Sequence, residues 1–163
     1  MRKLYYSAVL YTVLGLAAGL SYRELTKAND FTGPTQLAVV HTHLLTLGTL
    51  VFLITIALEK TLHLTRGRFF SAFFWTYHAG LVLTTGLMTV HGTLTVLGKD
   101  TSPAISGIAG MGHILLTLAL VFFFICLHHR LRPDLTATTR SEADERTEAA
   151  GLAADTAQRT TRA

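Results

Sequence analysis

Four long runs of apolar residues alternate with shorter polar connections along the 163-residue chain. A helix that crosses a bilayer needs about 20 mostly apolar residues, and no Lys, Arg, Asp or Glu interrupts any of the runs. The pattern predicts an all-α membrane protein. Because the connections are short, we expect an up-down antiparallel four-helix bundle. The four predicted transmembrane helices cover residues 4–22, 37–58, 69–97 and 105–127.

The chain changes character after residue 132. Residues 133–163 are rich in Thr, Ala, Arg and Glu and contain no extended apolar stripe. Such a composition cannot bury enough apolar surface to fold alone. We therefore predict a transmembrane domain over residues 1–132 and a disordered cytoplasmic tail over residues 133–163.

Basic residues predict how the bundle is oriented. The chain has a net charge of +4, and its Lys and Arg residues flank the apolar runs instead of forming a basic stripe. This distribution argues against nucleic-acid binding. By the positive-inside rule, it predicts a multi-pass protein of the bacterial cytoplasmic membrane with both termini in the cytoplasm. The residues that decide this orientation are Arg2, Lys3, Lys60, Arg66, Arg68, Arg130, Arg132 and Arg140.

Histidine is the unusual residue of this composition, with eight copies against ten acidic residues. His63, His128 and His129 fall in the predicted flanks, where we expect ordinary solvated side chains. Ionisable residues inside a membrane are costly and usually mark a function. Of the five that remain, we expect His78, beside Trp75, to be a hydrogen-bonded structural residue. The other four are His41, His43, His91 and His113.

Those four histidines are predicted to share one depth. With a rise of about 1.5 Å per residue, each lies roughly 6–10 Å inside the outer boundary of its helix. Imidazole ligates haem iron, copper and zinc. No carboxylate occurs at this depth, and the single cysteine, Cys126, lies near the opposite boundary. A di-iron carboxylate site and a thiolate site are therefore excluded.

The spacing of the histidines suggests how they would hold a metal. His41 and His43 are about 200° apart on a helix, so only one of them points to the bundle axis. Gly48 shares the face of His41 and slightly favours it, but the choice stays open. Diagonal helices two and four suit a haem b with axial ligands from His41 or His43 and from His113. His91 would then be an alternative ligand or a hydrogen-bond partner.

Two neighbouring residues and one rival cofactor complete this hypothesis. Tyr22 and Arg23 follow the first helix at its outer end, where they would meet the haem propionates. The rival is a copper ion, held by three histidines from helices two, three and four.

Two resemblances bear on function. The run Leu37-Ala-Val-Val-His41-Thr-His43-Leu-Leu-Thr-Leu-Gly48 resembles a helix of the haem–copper oxidase and nitric oxide reductase large subunit, which implies haem affinity in a minimal bundle. Residues 1–130 resemble an uncharacterised family of small bacterial four-helix membrane proteins. The features that carry this second resemblance are Tyr11-x-x-Leu-Gly15, Tyr22-Arg23-Glu24, His41-x-His43 and His113.

We therefore expect a b-type haem-binding membrane protein that serves electron transfer, gas or redox sensing, or haem handling. The alternatives are a copper or zinc binding or transport protein and a metal-free subunit of a larger complex. No catalytic motif is present, so any enzymatic role would be that of a haem-linked oxidoreductase. The expected partners are membrane lipid, a redox protein, and a second copy that pairs through the Gly15–Gly19 motif.

Overall fold

Four long helices form the part of the chain that the computed structural model describes, which is residues 1–100, 107, 108, 110–132 and 146. Each is long and apolar enough to cross a membrane, which confirms the predicted all-helical class and the number of candidate spans. The helices are α1 Arg2–Ala28, α2 Leu37–Leu62, α3 Phe70–Val96 and α4 Gly110–Arg132. The predicted tail, apart from Arg146, and the predicted start of the fourth span at residues 105 and 106 lie outside the described residues.

Three helices continue past the C-terminal ends of the apolar runs that predict them, and α4 does so from residue 127 to Arg132. Helix α1 continues to Ala28 instead of ending at residue 22, because hydroxyl and amide side chains bond to its last turns. Thr26 Oγ1 donates to the Tyr22 carbonyl at 2.9 Å, and Asn29 Nδ2 donates to the Leu25 carbonyl at 2.8 Å. Helix α2 continues four residues past residue 58, to Leu62.

Helix α2 continues past residue 58 because the first charged side chain after it is used inside the fold. The buried Glu59 carboxylate accepts hydrogen bonds from Thr65, one from the backbone N–H at 2.7 Å and one from the hydroxyl. His63 then ends the helix in the left-handed conformation, with φ of 51°. A 3₁₀ turn at Leu64–Arg66 leads on to α3.

Small residues bring α1 and α2 into close contact. A Cβ atom added at Gly48 would lie 2.5 Å from Tyr11 Cβ, and one added at Gly15 would lie 2.7 Å from Leu45 Cδ2. Gly19 faces His41 in the same way, with 3.6 Å between the added atom and His41 Cβ. The Gly15–Gly19 motif therefore contacts α2 of the same chain.

Glycines also set how α3 lies against its neighbours. A side chain at Gly92 would collide with the backbone of Leu37, and the Gly92 carbonyl accepts a hydrogen bond from Thr35 Oγ1 at 3.0 Å. On the other side of α3, Gly112 of α4 lies directly against Thr84. These contacts fix which residues of adjacent helices share a level.

One local feature of α2 departs from the α-helical pattern. The stretch Leu44–Leu50, immediately after His43, is π-helical. Its widened turn exposes carbonyls that an α-helix would use internally, and the Tyr77 hydroxyl donates to the Leu47 carbonyl at 2.9 Å. Interruptions of this kind are frequent at functional sites.

The close contact at Gly48 yields a stability prediction. Gly48→Ala forces a methyl group against Tyr11, so we expect a loss of about 1–3 kcal/mol, as for other overpacked sites. The matched control is Gly86→Ala, since nothing lies within 4 Å of the Cβ atom it adds. Alanine is the better helix former by about 1 kcal/mol, so the control is expected to be neutral or slightly stabilising. Thermal unfolding in detergent, followed by circular dichroism, measures both, and equal midpoints would contradict the prediction.

Candidate functional site

His41 lies on the face of α2 that contacts α1, with its Cβ and ring beside Gly19. Its Nδ1 atom is buried and, among the described residues, has no hydrogen-bond partner. A buried polar atom without a partner is expensive in an apolar environment. The described part of the fold therefore provides no hydrogen bond to this nitrogen.

His43 lies half-buried on a different face of the same helix. Its Nδ1–H donates to the Val39 carbonyl at 2.8 Å. Because that bond requires the proton on Nδ1, the lone pair of neutral His43 is on Nε2. Histidines that ligate metals usually donate the other ring N–H to a carbonyl in this way, so His43 has the tautomer of a ligand.

Contacts between helices place His91 near the level of His41. Gly92 touches Leu37, so His91 and His41 are about three residues, or roughly 5 Å, apart along the helix axes. Met88 is buried on α3 at the level of His41. Two histidines and one thioether therefore share this end of the bundle, which we call the Gly92 end.

His113 does not share this level. Its neighbour Gly112 touches Thr84, which lies seven residues before His91 on α3. His113 is thus about eight residues, or roughly 12 Å, from His91 along the axis, and its side chain is exposed. The common depth expected for the four histidines is not found, because the glycine contacts, and not the ends of the apolar runs, set the register of α4.

This register bears on the predicted haem. His41 contacts Gly19 of α1, whereas the His113 side chain is exposed on α4. Among the described residues, no three His, Cys, Asp or Glu side chains group to hold a metal ion.

Tyr22 and Arg23 lie on α1 three and four residues after Gly19, which contacts His41. Tyr22 packs partly buried against the core, whereas Arg23 is exposed and lies 3.8 Å from Glu24 in an ion pair. Arg23 also lines a surface pocket of about 480 Å³ together with Lys27 and Phe31. An anionic group at the Gly92 end would reach Arg23 from this surface.

Both ring nitrogens of His78 are within hydrogen-bond distance of a side-chain hydroxyl, as expected of a hydrogen-bonded structural histidine. Its Nδ1 lies 2.6 Å from the Tyr11 hydroxyl, and its Nε2 lies 3.1 Å from Ser7 Oγ. Ser7 Oγ in turn donates to the Lys3 carbonyl at 2.9 Å. A neutral His78 with its proton on Nε2 is compatible with all three hydrogen bonds. The Tyr11 hydroxyl then donates to Nδ1, and Nε2–H donates to Ser7 Oγ.

Aromatic rings enclose the same imidazole. The ring centroids of Phe52 and Phe74 lie 4.9 Å and 4.5 Å from that of His78, stacked and edge-on respectively. Reasoning from the sequence missed Ser7 and Tyr11 as partners. Their spacing of four residues on one face of α1 was the available signal.

The chain matches one protein family over residues 1–130, described as "Protein of unknown function (DUF2871)". The chain belongs to this family. Membership confirms the predicted resemblance to an uncharacterised family, while the match shows no link between DUF2871 and the haem–copper oxidases. No curated protein and no solved structure matches this DUF2871 chain.

The hydrogen bond between Tyr11 and His78 can be tested by removing one oxygen atom. Tyr11→Phe leaves the stacked ring in place but deprives His78 Nδ1 of its donor, so we expect a loss of about 1–3 kcal/mol. Tyr6→Phe is the matched control, because Tyr6 is 64% exposed whereas Tyr11 is 2% exposed. Thermal unfolding in detergent measures both. An unfolding midpoint for Tyr11→Phe equal to that of Tyr6→Phe would show that the bond contributes nothing.

Proposed function

We propose that this DUF2871 protein binds a redox-active metal cofactor through the histidines of α2, with haem b as the first candidate. The observation that carries the proposal is the contrast between these histidines and His78. The fold uses both ring nitrogens of His78, but within the described part of the chain it leaves His41 Nδ1 and His43 Nε2 without a hydrogen bond. A polar atom without a hydrogen bond is costly inside a membrane. Binding of a ligand by these two nitrogens would remove that cost.

His43 is the best candidate for an axial ligand of haem. Its tautomer presents Nε2, and its half-buried position on α2 leaves that nitrogen accessible from one side. The likeness of the His41-Thr-His43-Leu run to an oxidase helix supports haem over other cofactors. Haem supplies one-electron redox chemistry and gas binding, which suits electron transfer, gas or redox sensing, or haem handling. A second ligand to such a haem would come from a small molecule or from a second chain.

A copper ion is the second candidate, and a separate observation favours it. His41 and His91 lie on touching helices, roughly 5 Å apart along the axes, and Met88 lies at the level of His41. Neighbouring helix axes are about 8–10 Å apart, which suits a single ion better than a porphyrin. Imidazole and thioether are both ligands that copper accepts.

The proposal includes an arrangement in the membrane. We infer an up-down antiparallel bundle, since residues 11, 15 and 19 of α1 meet residues 48, 45 and 41 of α2 in reversed order. We further infer that both termini face the bacterial cytoplasm, because the basic residues beside Gly67 then obey the positive-inside rule.

Optical spectra and metal analysis of the purified protein test the cofactor. The protein is prepared in detergent from cells supplied with a haem precursor and with copper. If haem is bound, we expect a Soret band that His43→Ala removes. If copper is bound, we expect stoichiometric metal without a Soret band, lost in both His41→Ala and His91→Ala.

His128→Ala is the matched control for these variants, since His128 is an exposed histidine at the other end of the bundle. It is expected to keep the full cofactor content. A colourless, metal-free protein from replete cells would contradict the proposal and favour a metal-free subunit of a larger complex.

Labelling of introduced cysteines tests the orientation. In a Cys126→Ser background, Thr32→Cys places an exposed thiol in the connection before α2, and Thr61→Cys places one near the last turn of α2. A membrane-impermeant maleimide applied to intact cells is expected to label position 32 and to spare position 61. Both are labelled after the cells are opened, which controls for reactivity. Labelling of position 61 alone in intact cells would contradict the proposed topology and indicate the opposite orientation.

A further inference from the structure

Two adjoining pockets open where the start of α1, the turn before α3 and the last turns of α4 meet. We call this the Gly67 end, because Gly67 lines both pockets. The first has a volume of about 440 Å³, and its polar side chains are Arg68, Cys126, His129 and Arg130. The second has a volume of about 400 Å³ and contains Arg2 and Lys3.

Among the described residues, no recorded ion pair neutralises the cations of these pockets. The nearby carboxylate is Glu59, whose two oxygens are already engaged by Thr65. Within the described residues, the recorded ion pair is the one between Arg23 and Glu24, which lies at the far end of α1. The pockets are therefore basic, and anions are the ligands that complement them.

Aromatic contacts hold the first pocket in shape. Phe69 stacks on His129, with 6.3 Å between ring centroids and 12° between planes. The Arg68 guanidinium carbon lies 5.2 Å from the Phe69 centroid, a cation–π contact. The guanidinium therefore sits beside the pocket in a defined place while its N–H groups stay available to a ligand.

Gly67 keeps the two pockets adjacent. A Cβ atom here would lie 2.6 Å from Cys126 Sγ and 3.1 Å from the Leu64 carbonyl oxygen. A side chain at this position would displace the thiol and fill the space where the pockets meet. Gly67 thus lines both pockets without a side chain.

We propose that these pockets bind the two phosphates of one anionic phospholipid, a lipid of the diphosphatidylglycerol type. Basic pockets between transmembrane helices bind such headgroups. Trp75 lines the second pocket and is 64% exposed. Its amphipathic ring suits the interface at which the phosphates of a bilayer lie. The acyl chains then run along the exposed apolar surface of the helices.

Thermal unfolding in detergent with added lipid tests this site. Diphosphatidylglycerol is expected to raise the unfolding midpoint by about 5 °C or more at saturating concentration. Phosphatidylglycerol at equal phosphate is expected to give less than half of that shift, and phosphatidylcholine none. Equal shifts from the one- and two-phosphate lipids, or an equal shift from inorganic pyrophosphate, would overturn the proposal.

Charge variants locate the effect. The double variant Arg68→Gln/Arg130→Gln is expected to lose the lipid-induced shift. Lys99→Gln, at the Gly92 end, is the control and is expected to retain it. Arg2→Gln/Lys3→Gln provides a second test at exposed positions where folding is not at risk, and it is expected to reduce the shift to that of the one-phosphate lipid. A full shift in either double variant would overturn the assignment.

Discussion

Backbone polar groups inside a bilayer must find their partners within the protein, and in this fold glycine contacts bring several polar partners together. Gly48 lets Tyr11 settle against α2, and in that position the Tyr11 hydroxyl reaches His78 on α3. Gly92 brings α3 against Leu37 of α2 and leaves its carbonyl to a threonine. The hydrogen bonds between helices therefore depend on the close approach of the backbones. Larger residues at these glycine positions would move the helices apart and break those bonds.

The four helices could be predicted from the sequence, because uninterrupted apolar runs of this length rarely form any structure other than a membrane-spanning helix. Their ends could be predicted less well. A charged residue was a reasonable place to end α2, yet Glu59 is buried and engaged by Thr65. The π-helical stretch Leu44–Leu50 leaves no trace in apolar periodicity, since it depends on which carbonyls neighbouring helices require.

The histidines show the same limit. His78 could be recognised as structural because it sits among aromatic residues in the sequence, whereas its partners Ser7 and Tyr11 are on another helix. The depth of His113 could not be predicted by counting from the end of an apolar run. It depends on the contact of Gly112 with Thr84, a pairing between two helices that no single segment encodes.

The contact between Gly48 and Tyr11 also constrains how this sequence can diverge. A larger residue at position 48 is compatible with the fold only if position 11 becomes smaller, and that change removes the donor to His78. The residues at positions 11, 48 and 78 are therefore expected to covary, although they lie on three helices. We expect relatives that alter one of the three to have altered the others, so that the three residues persist or are replaced together.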